Sequence, residues 1–263
     1  MKKPSITAST TSDPSSHLSR TGAKHHGHGY QYDDLPSWHY QGPEGPENWG
    51  DLHEKFALCK TGKSQSPIDI KGPTKAGTPS LDIQYHSITH LKISDDGHTI
   101  KIKNYDMDSH LEIDGEPYKL LQFHFHAPSE HRIEGKGASM EVHLVHRSAD
   151  KKIAVVGVLI EEGKENEALT AIWAKMPEKA GEEIASSWEF NAAELLPKEK
   201  TFFHYMGSLT TPPCSEQIYW LVMKNPIEFS KEQIEKFKKT IGYSARSVQP
   251  LNGRPIFESE EHY

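Results

Sequence analysis

The sequence predicts a mainly β, mixed α/β single domain in which a large sheet carries a few short peripheral helices. Three observations predict it. Alternating apolar and polar runs recur between turn residues, as in Thr99-Ile100-Lys101-Ile102-Lys103 and Leu121-Gln122-Phe123-His124-Phe125-His126. Ile153 to Ile160 is nearly all apolar, the pattern of a strand buried on both faces. Helical spacing is confined to two short stretches.

Along the chain, Met1 to about Pro36 is rich in Ser, Thr, Gly and His and nearly free of aliphatics. Such a segment buries too little apolar surface to offset the entropy of ordering, so residues 1–36 are expected to be a disordered polar tail. Its His25-His26-Gly27-His28 cluster reads as a solvated tail with weak affinity for divalent metals. Met1-Lys2-Lys3 is similar to the start of a secretory signal, but Pro4 to Asp13 holds no apolar segment, so no export signal is expected in this sequence.

From Trp38 the composition becomes that of a folded domain, taken as residues 37–263 with no internal linker or repeat. Further strands are expected at Met140–His146, Phe202–Tyr205 and Ile218–Met223. Asn166, Leu169, Ile172, Trp173 and Met176 fall at helical spacing, and Pro177 ends the run. Ser230-Lys231-Glu232-Gln233 reads as a capping box opening a helix that carries Ile234 and Phe237.

Composition narrows the function. A net charge of −7 argues against nucleic acid, which asks for a basic face. No run approaches the roughly 18 apolar residues of a membrane helix. Histidine is the outlier, with 17 residues against 2 cysteines. It is the commonest metal ligand, which directs attention to how the histidines are spaced.

In a strand, residues i and i+2 share a face. Gln122, His124 and His126 therefore face one way while Phe123 and Phe125 face the other. Glu141, His143 and Val145 share a face in the same manner. Were these two strands neighbours, His124, His126 and His143 would meet. Three neutral imidazoles leave one open position on zinc, a catalytic arrangement. Gln122 and Glu141 sit on the right faces to receive the second ring N–H of a ligand. Solvent-facing or simply hydrogen-bonded histidines fit the same spacing. His146 falls on the opposite face from His143, and His131 follows Glu130 in a loop; both are expected to be structural.

These residues resemble the zinc-binding core of the α-class carbonic anhydrases, and the resemblance extends from about Trp38 to Phe257. It includes Trp38-x-Tyr40, Gln65-Ser66-Pro67-Ile68-Asp69-Ile70, Ser129-Glu130-His131, Gly207-Ser208-Leu209-Thr210-Thr211-Pro212-Pro213-Cys214 and Val248-Gln249-Pro250-Leu251-Asn252-Gly253-Arg254. Ala127-Pro128-Ser129 and the early cysteine are closer to bacterial secreted members. The resemblance implies a central twisted, mostly antiparallel sheet of about ten strands. It also implies reversible hydration of carbon dioxide to bicarbonate and a proton, with Zn2+ on His124, His126 and His143.

By the same resemblance, Thr210 would donate its hydroxyl proton to Glu130 and so orient the attacking oxygen. Thr211 and the Thr210 N–H would meet bicarbonate. Val145, Val155, Leu209 and Trp220 would form the apolar wall for CO2. His98 would relay the proton to solvent, being matched in pKa to water on zinc, and Tyr40 would order the intervening water. Sulfonamide-type inhibitors and a homodimer are implied as well. The chain departs from the family pattern at Asp95-Asp96, where Asn-Asn is frequent. It departs also at Lys101, where many vertebrate members have Asn, and at His39, where Gly is frequent.

Cys59 and Cys214 are the only cysteines, and by count alone they could be buried free thiols. Bacterial and extracellular members join the matching pair, which implies a disulfide and an oxidising compartment, periplasmic or secreted. That sits against the missing signal, and a native signal absent from this sequence would reconcile the two. The competing readings are a non-catalytic binding module on the same fold and a zinc hydrolase acting on esters or phosphate.

Overall fold

The alternating runs become strands of one large sheet. The structure, a computed structural model, describes residues 35–75, 77–186 and 189–260. The expected tail and its His25-His26-Gly27-His28 cluster lie outside the described residues. In chain order the first strands are β1 (Asp69–Ile70), β2 (Leu81–Gln84), β3 (Ser87–Ile88), β4 (Leu91–Asp95), β5 (Ile100–Asn104) and β6 (His110–Ile113). The centre holds β7 (Glu116–His126), β8 (Arg132–Ile133), β9 (Met140–Ser148) and β10 (Ile153–Glu162). Then follow β11 (Glu183–Ser186), β12 (Phe190–Asn191), β13 (Phe202–Ser208), β14 (Glu216–Met223), β15 (Ile227–Phe229) and β16 (Phe257–Glu258). The α-helices are α1 (Trp49–Leu52), α2 (Leu58–Thr61), α3 (Glu167–Ala174) and α4 (Lys231–Ile241).

Twelve strands form the main sheet, in the order β11-β4-β5-β7-β9-β10-β14-β13-β16, with β15 on β10 and β2-β6 joined to β7. The pairing is antiparallel except at β10–β14 and β10–β15. About ten strands were expected. The count exceeds that through strands of two to four residues, such as β2, β15 and β16, which are too short to show alternation.

One sheet face carries the main core. Phe123, Phe125, Val142, Leu144, Val156, Val158 and Leu221 are buried there. Helices α3 and α4 cover that face. Leu169, Ile172 and Trp173 of α3 and Ile234 and Phe237 of α4 join the same cluster. Phe125 meets Trp173 edge-on at 4.9 Å, a favourable aromatic geometry. The capping box forms as the sequence predicts: Gln233 N donates to Ser230 Oγ, and Ser230 N donates to Gln233 Oε1. Gln233 also bonds the Asn166 backbone, tying α4 to the start of α3. With one face so covered, the opposite face holds the polar groups of β7 and β9 beside a second apolar cluster that includes Val155 and Trp220.

A bulge in β7 makes this division possible. Before it, Tyr118 and Leu120 point into the core; after it, Phe123 and Phe125 do. The register shifts between Leu120, opposite His146, and Gln122, opposite Val145, so that Leu121 is the extra residue. An extra residue reverses the side-chain parity of the strand. Gln122, His124 and His126 are thereby turned away from the core.

Candidate metal centre

Strands β7 and β9 pair so that His124 lies opposite His143 and His126 opposite Glu141. The three histidine rings sit with centroids 4.5–5.3 Å apart. One nitrogen from each lies within 4.8 Å of the others. The second nitrogen of each ring is engaged. His124 Nδ1 is 2.8 Å from Gln122 Oε1, His126 Nδ1 is 2.7 Å from the Ser244 carbonyl, and His143 Nε2 is 2.8 Å from Glu141 Oε1. Each of these acceptors fixes a tautomer and leaves a bare lone pair facing the other two rings. His126 Nε2 is buried with no hydrogen-bond partner among the described residues. Burial lowers the pKa of all three, which favours the neutral form a metal requires. An unpartnered buried nitrogen is costly unless a ligand satisfies it, so the residues present fit a zinc ion.

Glu141 anchors the polar side of this centre. Its Oε2 accepts the backbone N–H of Glu130 and His131 at 2.7 and 2.8 Å. Its Oε1 accepts His131 Nδ1 and His143 Nε2. Burial opposes its charge, but the coulombic attraction of His131 and His143 and their hydrogen bonds prevail and hold it well below the usual carboxylate range. From His131 Nε2 the chain continues to the Tyr205 hydroxyl at 2.7 Å, then to Ser66 Oγ at 2.7 Å. Ser66 Oγ accepts the Ser208 N–H. Gly207 lets this chain pass: a Cβ there would lie 2.1 Å from Ser66 Oγ. The expectation that His131 and His146 are structural agrees with their partners; His146 Nε2 meets the Tyr85 hydroxyl in the core at 2.7 Å.

Glu130 is buried beside the histidines. Its Oε1 accepts the Arg246 N–H at 2.8 Å, while Oε2 has no partner among the described residues. Thr210 lies close enough to favour the charged carboxyl, without the full geometry of a hydrogen bond to Oε2. Burial above all pushes Glu130 up to about 7.

A cavity of about 260 Å³ opens above the three histidines. Its lining includes the apolar Val145, Leu209 and Trp220 and the polar Tyr40, His98, Gln122, Thr210 and Thr211. Val155 does not line it. It is buried, in register with Val145 on β9 and Trp220 on β14, and backs the apolar wall. His98 stacks on Trp38 with centroids 3.7 Å apart, and its Nε2 lies 2.7 Å from the Trp38 carbonyl. Tyr40 is buried, and burial above all pushes its phenol well up.

Cys59 and Cys214 are joined by a disulfide spanning 155 residues. The bond tethers the loop that carries Thr210, whose Thr211 carbonyl accepts the Cys214 N–H. Sequence reasoning assigned no role to Ser244, Arg246 or Tyr205. Ser244 meets His126 through its carbonyl, which carries no side-chain signal, while its Oγ accepts the neighbouring Ala127 N–H. Arg246 holds Glu130 through its backbone and Gln65, Ser66 and Cys59 through its guanidinium. Ser66 and Ser208 belong to motifs quoted above but carried no assignment of their own.

The chain is similar to known carbonic anhydrases over most of its length. The family model for eukaryotic-type carbonic anhydrase matches residues 44–260. A carbonic anhydrase of Klebsiella pneumoniae is 43% identical over 226 residues, 84% of this chain and 90% of the relative. A solved hyperthermostable carbonic anhydrase from an active hydrothermal vent chimney is 47% identical at a TM-score of 0.82, covering 85% of this chain and all of its own. The α-carbonic anhydrase of Thermovibrio ammonificans, solved with the inhibitor sulfanilamide, is 42% identical at a TM-score of 0.80, over 84% of this chain and 98% of that one. The fold and site thus define an enzyme of carbon dioxide hydration. The chain belongs to the α-type carbonic anhydrase family.

Proposed function

We propose that the protein is a zinc-dependent carbonic anhydrase in which His124, His126 and His143 hold the metal. The supporting observation is the unpartnered, buried Nε2 of His126 among neutral imidazoles whose other nitrogens are engaged. When bound, zinc acts as a Lewis acid that lowers the pKa of water to about 7 and so supplies a nucleophile at neutral pH.

The chain's own residues would do the rest. Glu141 and Gln122 keep His143 and His124 in the ligating tautomer. Thr210 has one hydroxyl proton, which it gives to Glu130; its lone pairs then face the cavity and orient an attacking O–H. Thr211 and the Thr210 N–H receive the oxygens of bicarbonate. Val145, Leu209 and Trp220, backed by Val155, take CO2, which has no net dipole and is weakly held by water. His98 donates Nε2–H to the Trp38 carbonyl, so Nδ1 is the nitrogen left to accept the departing proton. Tyr40, a neutral phenol, orders water between them.

The disulfide fits an oxidising compartment, and we place the protein in the periplasm or outside the cell, with residues 37–263 as the folded unit. No helix among the described residues is long and apolar enough to cross a membrane. Sulfonamides are expected to inhibit at the metal, and sedimentation tests the homodimer. The metal assignment is tested by zinc analysis of purified His126→Ala and His143→Ala. Loss of stoichiometric zinc in a folded protein is expected; full zinc retention in either would overturn the ligand set.

A further inference from the structure

The wall of the cavity nearest His98 carries two opposite charges. Lys101 lies directly across the β5–β7 ladder from His124, and its Nζ is 2.8 Å from Asp96 Oδ2. The other Asp96 oxygen, Oδ1, accepts the backbone N–H of both His98 and Thr99 at 3.0 Å. One carboxylate thus caps the turn on which His98 sits and binds the ammonium on the neighbouring strand. Asp96, His98 and Lys101 all line the cavity.

Resting on the reading of His98 as the proton relay, we propose that the Asp96–Lys101 pair is a positioning device for His98. It fixes the turn beneath the ring and balances two charges that set the pH range over which the imidazole takes up a proton. The groups facing His98 are few. Trp38 stacks on it and accepts its Nε2–H. His39, paired with Glu44 at 3.2 Å, lies 6.1 Å away centroid to centroid, and Tyr40 lies 6.5 Å away. Asp95 turns its carboxylate to the Gly97 N–H in the same turn. Burial pushes His98 down first; the Trp38 carbonyl and Asp96 favour its cation, and His39 and Lys101 oppose it. Asp96 and Lys101 therefore pull in opposite directions, and each masks the other.

This pairing gives predictions of opposite sign. Asp96→Asn removes the negative charge but keeps an oxygen for the turn N–H groups, so His98 should titrate lower. Lys101→Gln removes the positive charge and should make it titrate higher. A unit charge across a partly solvated pocket is worth on the order of half a pH unit. The double variant should return close to the parent. The experiment is NMR titration of the His98 ring in the zinc-loaded protein, assigned by its loss in His98→Ala, together with the pH profile of kcat in weak buffer. Opposite shifts that cancel in the double variant carry the proposal. Shifts of one sign, or none, overturn it. If His98→Ala leaves kcat unchanged, the relay reading fails, and the ring titration by itself still decides whether the pair sets the His98 range.

Discussion

His146 shows what a single buried side chain does to pH dependence. It sits in the core with its Nε2 on the Tyr85 hydroxyl, where burial outweighs the Ala154 and Leu144 backbone groups that favour its charge. Burial pushes its pKa down to about 3. In the unfolded chain it would titrate near 6.5, so the unfolded state binds the extra proton first. Its contribution to stability is complete above pH 6.5 and is lost progressively as pH falls toward 3, by up to about 5 kcal/mol. Urea midpoints measured from pH 7 to pH 4 should fall less steeply in Tyr85→Phe/His146→Leu, which removes both polar partners. An unchanged slope would assign the acid sensitivity elsewhere. The Glu141 chain is the residue-scale counterpart on the metal side. Tyr205→Phe leaves His131 Nε2 buried without its donor and should cost about 1–3 kcal/mol. Thermal unfolding checks it, and a change within 0.3 kcal/mol would contradict it.

At the scale of elements, the β7 bulge sets which side chains face the site, and the α4 cap ties α4 to the start of α3 over the opposite face. The bulge converts one strand from Tyr118 and Leu120 inward to Phe123 and Phe125 inward, and so turns three polar side chains to one face. The parity of Gln122, His124 and His126 was legible in the sequence because residues 122–126 alternate without interruption after the bulge at Leu121. The bulge itself was not, since Leu120-Leu121 reads simply as apolar. Pairing of β7 with β9 was an open alternative in the sequence, and the register makes it definite. The Val155 expectation came from resemblance alone; an apolar strand residue carries no signal for wall or backing. The α4 capping box was fully legible, but Gln233's reach to Asn166 was not, because it joins elements 67 residues apart. Ser230→Ala should cost about 1 kcal/mol, the usual worth of a cap. Gln233→Ala should cost more, since it also breaks the tie to α3. Denaturant unfolding of the pair gives the order, and equal costs would mean that the Asn166 bonds add nothing.

The whole molecule places a sheet between an aromatic core under α3 and α4 and a cavity on the other face, and one disulfide tethers the loop whose Thr210 and Thr211 line that cavity. The bridge joins residues 155 apart, so the chain-entropy model gives about 4–5 kcal/mol from constraint of the unfolded chain. Cys59→Ser/Cys214→Ser should therefore unfold at clearly lower denaturant, and free thiols in native material would contradict the proposed oxidising compartment. The central claim is that three neutral histidines, made to converge by one bulged strand and its neighbour, hold a zinc ion that hydrates CO2. Stopped-flow CO2 hydration by the purified protein, before and after a chelator and again after added zinc, tests it most directly. Fast turnover that vanishes on stripping and returns with zinc is the predicted result; folded, zinc-loaded protein with no turnover above buffer would contradict it.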